Sequence, residues 1–333
     1  MACAHEDGRS LPPVGFAATD VVGLARYVRL ACGEEVRAVI DSTNGLLDGP
    51  LRHLGLTVLR ADPWDLPPRP LLGSASALTL AQRAHKPGAR ALPETDTANG
   101  TLKGRIEEHL RAVGSSAAYE AELVEQGKCF GGGSQTSRRV ALTFDDGPSE
   151  PYTGQVLDIL RDYGAVATFF CVGLHVSAAP ALVARMRTEG HSVANHTWSH
   201  PYLPDLSQTE LLRQFEATGN AVAAVTGERP VLVRPPYGSR TPDTLRWTEE
   251  AGLTTVLWSR DTCDWALGGI SGIVSRALDT TGAEGDAVVL MHDGGGDRSQ
   301  TVAALPLIIE SLLATGHDLV SIDEMVSQLV GVR

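Results

Sequence analysis

Residues 140–172 read VALTFDDGPSEPYTGQVLDILRDYGAVATFFCV, and this stretch decides the fold. An apolar run, VALTF, ends in two aspartates and a Gly-Pro turn. A segment with helical spacing follows over 153–163, and then a second apolar run, ATFFCV. Two short apolar runs joined through an amphipathic helix make a parallel pair, since a parallel connection needs a crossover of roughly a dozen residues or more. The unit repeats to the end of the chain: a helix over 178–189, then SVANH; 207–226, then VLVRPP upstream of 242–251; TTVLWS, then 270–281; AVVLMH, then 301–315; and last DLVSI. The pattern predicts an α/β fold, a distorted (β/α) barrel of about seven parallel strands. A barrel is favoured over an open doubly wound sheet because every chemistry-bearing residue falls just after a strand's C-terminal end.

Upstream the pattern changes. Residues 129–139, CFGGGSQTSRR, read as a linker or a loose entry loop. Residues 1–70 predict a smaller α/β segment: a helix over Asp20–Cys32 stopped by Gly33, and strands at Glu35–Asp41 and Thr57–Ala61 around a helix at Leu46–Leu54. Residues 71–138 read as an irregular and helical connection. It is Pro-rich from 63 to 97, with two short helices over 101–127, and 139–333 form the third and regular region. Nothing in residues 1–138 has the look of a site, and their role is left open.

Composition narrows the class. At 43% hydrophobic and 20% charged residues, the chain of 333 excludes disorder throughout. No run of about 18 apolar residues offers a membrane span. The opening MACAHED lacks the basic and apolar regions of a secretory signal, so a cytoplasmic location is expected. Of the net charge of −12, none arises in residues 1–139, which hold 16 basic and 16 acidic side chains; residues 140–333 hold 12 and 24, with no lysine. Such a surface repels a phosphate backbone, which argues against nucleic acid as a partner. The five cysteines are odd in number and scattered, with no C-x-x-C pair, and encode neither a disulfide framework nor a thiolate zinc site.

Five clusters carry chemistry, each at a strand end. In Thr143-Phe144-Asp145-Asp146-Gly147-Pro148, one carboxylate can hold a metal while its neighbour stays free as a base. In His196-Thr197-Trp198-Ser199-His200, the H-x-x-x-H spacing puts both imidazoles on one side of a helical turn, and with Asp146 it makes a two-His, one-carboxylate set. In Val233-Arg234-Pro235-Pro236-Tyr237-Gly238, the arginine can grip a carboxylate in bidentate fashion. The prolines there fix a backbone whose Tyr237 N–H can face an oxyanion. The remaining two are Asp261-Thr262-Cys263-Asp264-Trp265 and Leu290-Met291-His292-Asp293-Gly294, where a histidine outside the metal set can act as an acid oriented by a carboxylate. Any one of these also fits ordinary turn chemistry; five in succession do not. His175, His191 and His317 lack such company and read as structural or exposed.

Taken together, TFDDGP, HTWSH, RPPYG, DTCDW and LMHDG resemble, in order, the five motifs of the polysaccharide deacetylase superfamily (carbohydrate esterase family four, with its chitooligosaccharide deacetylase homology domain) over about residues 139–333. The resemblance implies Asp145 as base, and Asp146, His196 and His200 as ligands of a divalent metal, zinc ahead of cobalt, nickel or manganese. It implies Arg234 as partner of the base, the Tyr237 N–H as oxyanion donor, and His292 as general acid tuned by Asp264. Trp265 then walls the groove, Leu290 lines the acyl-methyl pocket, and Asp261 shares the fourth motif. The implied activity is metal-dependent hydrolysis of an N-acyl group, most simply N-acetyl, from an amino sugar or a small N-acylated metabolite, natural-product biosynthesis included. Family members of this kind work outside the cell on chitin, peptidoglycan or xylan. The opening residues shift the expectation toward a small soluble substrate, with neither nucleic acid nor membrane as partner. An allantoinase-like or deformylase-like amide hydrolysis and an O-acetyl esterase are neighbouring chemistries. A non-catalytic metal-containing binding module is the rival from another class, against which stands the presence of base, ligands and acid together.

Overall fold

The computed structural model describes residues 37–40, 51, 56–61, 89–91, 102–132, 138–279 and 285–330. The chain divides into two compact units, Met1–Gly114 with Pro201–Asp205, and Ser115–His200 with Leu206–Arg333.

In the first unit, β1 (Arg37–Ile40) pairs in parallel with β2 (Thr57–Ala61), as a strand–helix–strand unit requires, and β2 pairs antiparallel with β3 (Ala89–Ala91). β3 arises in the stretch expected to be irregular. Of the helices expected at Asp20–Cys32 and Leu46–Leu54, only Leu51 lies within the described residues, and it is helical. The two short helices expected over 101–127 are one, α1 (Leu102–Glu125). Gly114 in its interior costs about 1 kcal/mol, and burial of Leu123 beyond it, worth roughly 1.5–3 kcal/mol, outweighs that cost.

Among the described residues the second unit holds a parallel sheet of nine strands: β4 (Cys129–Phe130), β5 (Arg139–Asp145), β6 (Thr168–Cys171), β7 (Ser192–Asn195), β8 (Leu232–Val233), β9 (Thr254–Val256), β10 (Arg260–Asp261), β11 (Ala287–His292) and β12 (Asp318–Leu319). Their order is β10-β11-β5-β6-β7-β8-β9-β4, with β12 against the start of β5. The crossovers are α2 (Tyr152–Tyr163), α3 (Gly173–Ala178), α4 (Pro180–Thr188), α5 (Gln208–Thr226), α6 (Pro242–Glu250), α7 (Ile270–Ala277) and α8 (Ser299–Ala314), and α9 (Ile322–Val330) ends the described chain. The two ends of the path meet. Gly132 bridges to Ala287, the Leu257 N–H donates to the Phe130 carbonyl, and the Ser259 N–H donates to that of Val288. This curls the sheet into the expected distorted barrel, with nine strands in place of seven. The additions are β4, inside the stretch read as a linker, and β10; neither stands in an apolar run, as the equally short β8 and β12 do.

Alternation along the strands separates two cores. Ala141, Phe170, Ala194, Leu232, Val256 and Val288 meet inside the barrel. Val140, Leu142, Phe144, Phe169, Val289 and Met291 face outward against Val156, Leu160, Ile308 and other helix residues. By the same count Thr143 and Asp145 on β5, and Leu290 and His292 on β11, belong to the inner face. The polar ends of both strands thus share one mouth of the barrel. Cys129, Cys171 and Cys263 are free thiols, and among the described residues no helix is long and apolar enough to cross a membrane.

Candidate active site

The parallel ladder sets Asp145 directly beside His292 on the neighbouring strand. Across the mouth, Arg234 follows β8 and is fully buried. Its Nη1 donates to Asp145 Oδ1 at 2.7 Å and to the Thr143 hydroxyl at 2.9 Å. Nε and Nη2 donate to the carbonyls of Val256 and Leu257, and the guanidinium lies 4.1 Å over the Phe170 ring. The grip on Asp145 is therefore single rather than bidentate, because the rest of the fork ties down the β9 end. Asp145 Oδ2 stays on the other side, 3.8 Å from His196 Nε2.

Asp146, His196 and His200 converge, with one ligand atom of each within 4.8 Å of the others. Asp146 Oδ1 stands 3.0 Å from His200 Nε2 and 3.4 Å from His196 Nε2. His196 Nδ1 lies 2.8 Å from the Arg234 carbonyl. A carbonyl only accepts, so Nδ1 carries a hydrogen and Nε2 is the ring atom turned to the cluster, the arrangement of a metal-ligating histidine. Burial pushes the Asp146 carboxyl up, but the facing imidazoles of His200 and His196 outweigh it and hold the group well below the usual carboxylate range. Two imidazole nitrogens and a carboxylate with open positions suit a divalent first-row ion.

His196 and His200 do not stand on a helical turn, as the H-x-x-x-H spacing suggested. Residues 196–200 form an irregular loop in which Thr197 and His200 have positive φ. Asn195 shapes it by accepting from the Thr197 N–H at 2.8 Å, and buried Gln214 on α5 accepts from the N–H groups of Trp198 and Ser199. Neither polar anchor was legible, since each is an ordinary residue until the fold brings it to the loop. Of the described non-glycine residues with positive φ, Asp146, Thr197, His200, Tyr237 and Cys263 all lie in the five motifs, and Leu267 follows two residues on. Each left-handed residue costs about 1–2 kcal/mol, a concentration of strain typical of functional sites.

His292 Nδ1 lies 2.7 Å from Asp264 Oδ1, while Asp264 Oδ2 accepts from the His292 N–H at 2.9 Å and the Thr301 hydroxyl at 2.7 Å. Burial opposes a charged ring, but the bond to Asp264 and the charges of Asp264, Asp146 and Asp145 prevail and raise His292 to about 9. Burial pushes Asp264 up, and His292 and Thr301 more than reverse it. Leu290 is buried two residues before His292, Trp265 is 58% exposed, and Tyr237 sets its ring edge-on to His200 at 4.6 Å. Asp261 accepts from the Cys263 N–H. All the residues singled out in the sequence thus lie on strand ends and loops of one unit. His175, read as structural or exposed, bonds to the Asp146 carbonyl at 2.7 Å.

Parallel strands with a carboxylate beside an Asp–His–His cluster and a carboxylate-oriented histidine define a metal-dependent hydrolase. The family model described as "Polysaccharide deacetylase" matches residues 132–256, which hold the first three motifs. A peptidoglycan-N-acetylglucosamine deacetylase of Bacillus cereus is 43% identical over 188 residues, covering 56% of this chain and 87% of that protein. A chitooligosaccharide deacetylase of Rhizobium leguminosarum bv. trifolii is 38% identical, covering 56% and 91%. Among solved structures, a peptidoglycan N-acetylglucosamine deacetylase in complex with a naphthyl N-hydroxybenzamide superposes with a TM-score of 0.58 at 33% identity, covering 61% of this chain and 94% of that one. The chain belongs to the polysaccharide deacetylase family. It is an enzyme of the deacetylase class, acting on carbon–nitrogen bonds other than peptide bonds.

Proposed function

We propose that the chain removes the N-acetyl group from N-acetylglucosamine units of a saccharide, with the divalent ion, zinc first, on Asp146, His196 and His200. The observation that carries this is the placing of Asp145: one carboxylate oxygen is tied to Arg234 while the other faces the ligand cluster. The ion, when bound, supplies Lewis acidity for the acyl carbonyl and for water. Asp145 Oδ2 takes the proton of the attacking water as the oxygen–carbon bond forms. The Tyr237 ring lies edge-on to His200, and the Tyr237 N–H is the donor assigned to the developing oxyanion. His292 Nδ1 is engaged with Asp264, so Nε2 delivers the proton to the amine as the carbon–nitrogen bond breaks. Acetate and the free amino sugar result. Leu290 lines the space for the acetyl methyl, and exposed Trp265 stacks on a sugar ring.

The relatives named for peptidoglycan and chitooligosaccharides support a saccharide over the small metabolite that the opening residues favoured. The test is acetate release from N-acetylglucosamine oligomers. Asp145→Asn, loaded with metal, should lose about 10²–10⁴-fold in kcat; wild-type turnover in that variant excludes Asp145 as the base.

A further inference from the structure

The loops that carry the metal ligands are far apart in sequence, and one short segment bonds to both. The Val172 N–H donates to the Gly147 carbonyl at 3.0 Å, that of Gly173 to Thr197 at 2.9 Å, and that of Leu174 to Trp198 at 3.0 Å. The fourth contact comes from a side chain, His175 Nδ1, 2.7 Å from the carbonyl oxygen of Asp146. Because the carbonyl accepts, Nδ1 must donate. Asp146 has φ of 74°, a left-handed state that aspartate adopts more readily than most non-glycine residues and that the bond to its carbonyl helps to hold. The fit around the segment is close: a Cβ on Gly173 would lie 2.4 Å from Trp198 Cε3 and 2.7 Å from Thr218 Oγ1.

We infer that His175 is a positioning residue of the metal site, holding the Asp146 peptide so that its carboxylate meets His196 and His200. The role rests on the metal reading above. The Val172–Leu174 backbone fixes the histidine loop, and His175 adds the bond that fixes the aspartate against it. Partners that orient a ligand from outside typically contribute about 10–100-fold in metal affinity.

The test is Zn²⁺ titration of the chelator-treated full chain against a competing chromophoric chelator, with thermal unfolding of the metal-free protein as the control for folding. An asparagine amide can donate from the place of Nδ1, whereas a glutamine amide reaches the place of Nε2. His175→Leu and His175→Gln should weaken Zn²⁺ binding about 10–100-fold, and His175→Asn should stay close to wild type. Equal affinity in all forms, or an asparagine variant as weak as the leucine one, overturns the inference. If His175→Leu does not fold, the comparison of asparagine with glutamine decides. A wild-type chain that binds no Zn²⁺ overturns the metal site itself, a failure visible before any substitution is made.

Discussion

Replacing Asp264 by asparagine removes the negative charge that favours the protonated His292 ring and one of the two acceptor oxygens around it, while leaving an amide of the same size. His292 stands at about 9 against 6.5 for an unperturbed imidazole. That difference corresponds to about 3 kcal/mol of preference for the charged ring. Burial acts in the opposite direction while the charges of Asp146 and Asp145 remain, so without the Asp264 charge the ring should fall from about 9 toward its ordinary range. General-acid work needs the protonated ring, so activity is lost as pH rises through its pKa. The alkaline limb of kcat in Asp264→Asn should therefore move to lower pH by about one to three units, with maximal kcat lowered about 10²–10⁴-fold. A divalent ion at Asp146 adds positive charge to both proteins and lowers both limbs, leaving the difference between them. The assay is a kcat–pH profile of acetate release at saturating metal, supported by NMR titration of His292 in the metal-free protein. An alkaline limb at the same pH in both proteins refutes the coupling.

Arg234→Met should destabilise the fold by about 3–5 kcal/mol in urea unfolding, since Asp145 is left as a buried charge without its partner; a loss under 1 kcal/mol contradicts the burial argument. His200→Ala should abolish tight Zn²⁺ retention after dialysis, measured by elemental analysis, because it takes one of three ligands. In the metal-free protein, the stability that His292 contributes is fully present below pH 6.5 and lost as pH rises through about 9. Its Tm should fall over that interval, and His292→Gln should flatten the fall. Trp265→Ala, at a side chain 58% exposed, should leave Tm nearly unchanged while raising KM for N-acetylglucosamine oligomers more than it lowers kcat.

The strand ends were legible because each chemistry-bearing residue follows an apolar run, and a parallel barrel leaves only one mouth for such ends to share. Asp145, Asp146, His196, His200, Arg234, Asp264 and His292 stood out in this way. What stayed hidden depends on contacts made at long range in sequence. β4 and β10 are two residues each and, unlike the equally short β8 and β12, lie in no apolar run. The H-x-x-x-H spacing suggested a helical turn because spacing says nothing of φ, and Thr197 and His200 are left-handed. Gln214 and His175 are unremarkable in the chain, and only the packing of α5 and α3 brings them to the ligand loops. The single rather than bidentate grip of Arg234 reflects carbonyls at the end of β9 that compete for the same fork.

The most direct measurement is acetate release from an N-acetylglucosamine oligomer by chelator-treated protein as Zn²⁺ is added back. Release should vanish on metal removal and return in full at one ion per chain. Undiminished release from the metal-free protein would contradict the metal-dependent chemistry on which the proposed function stands.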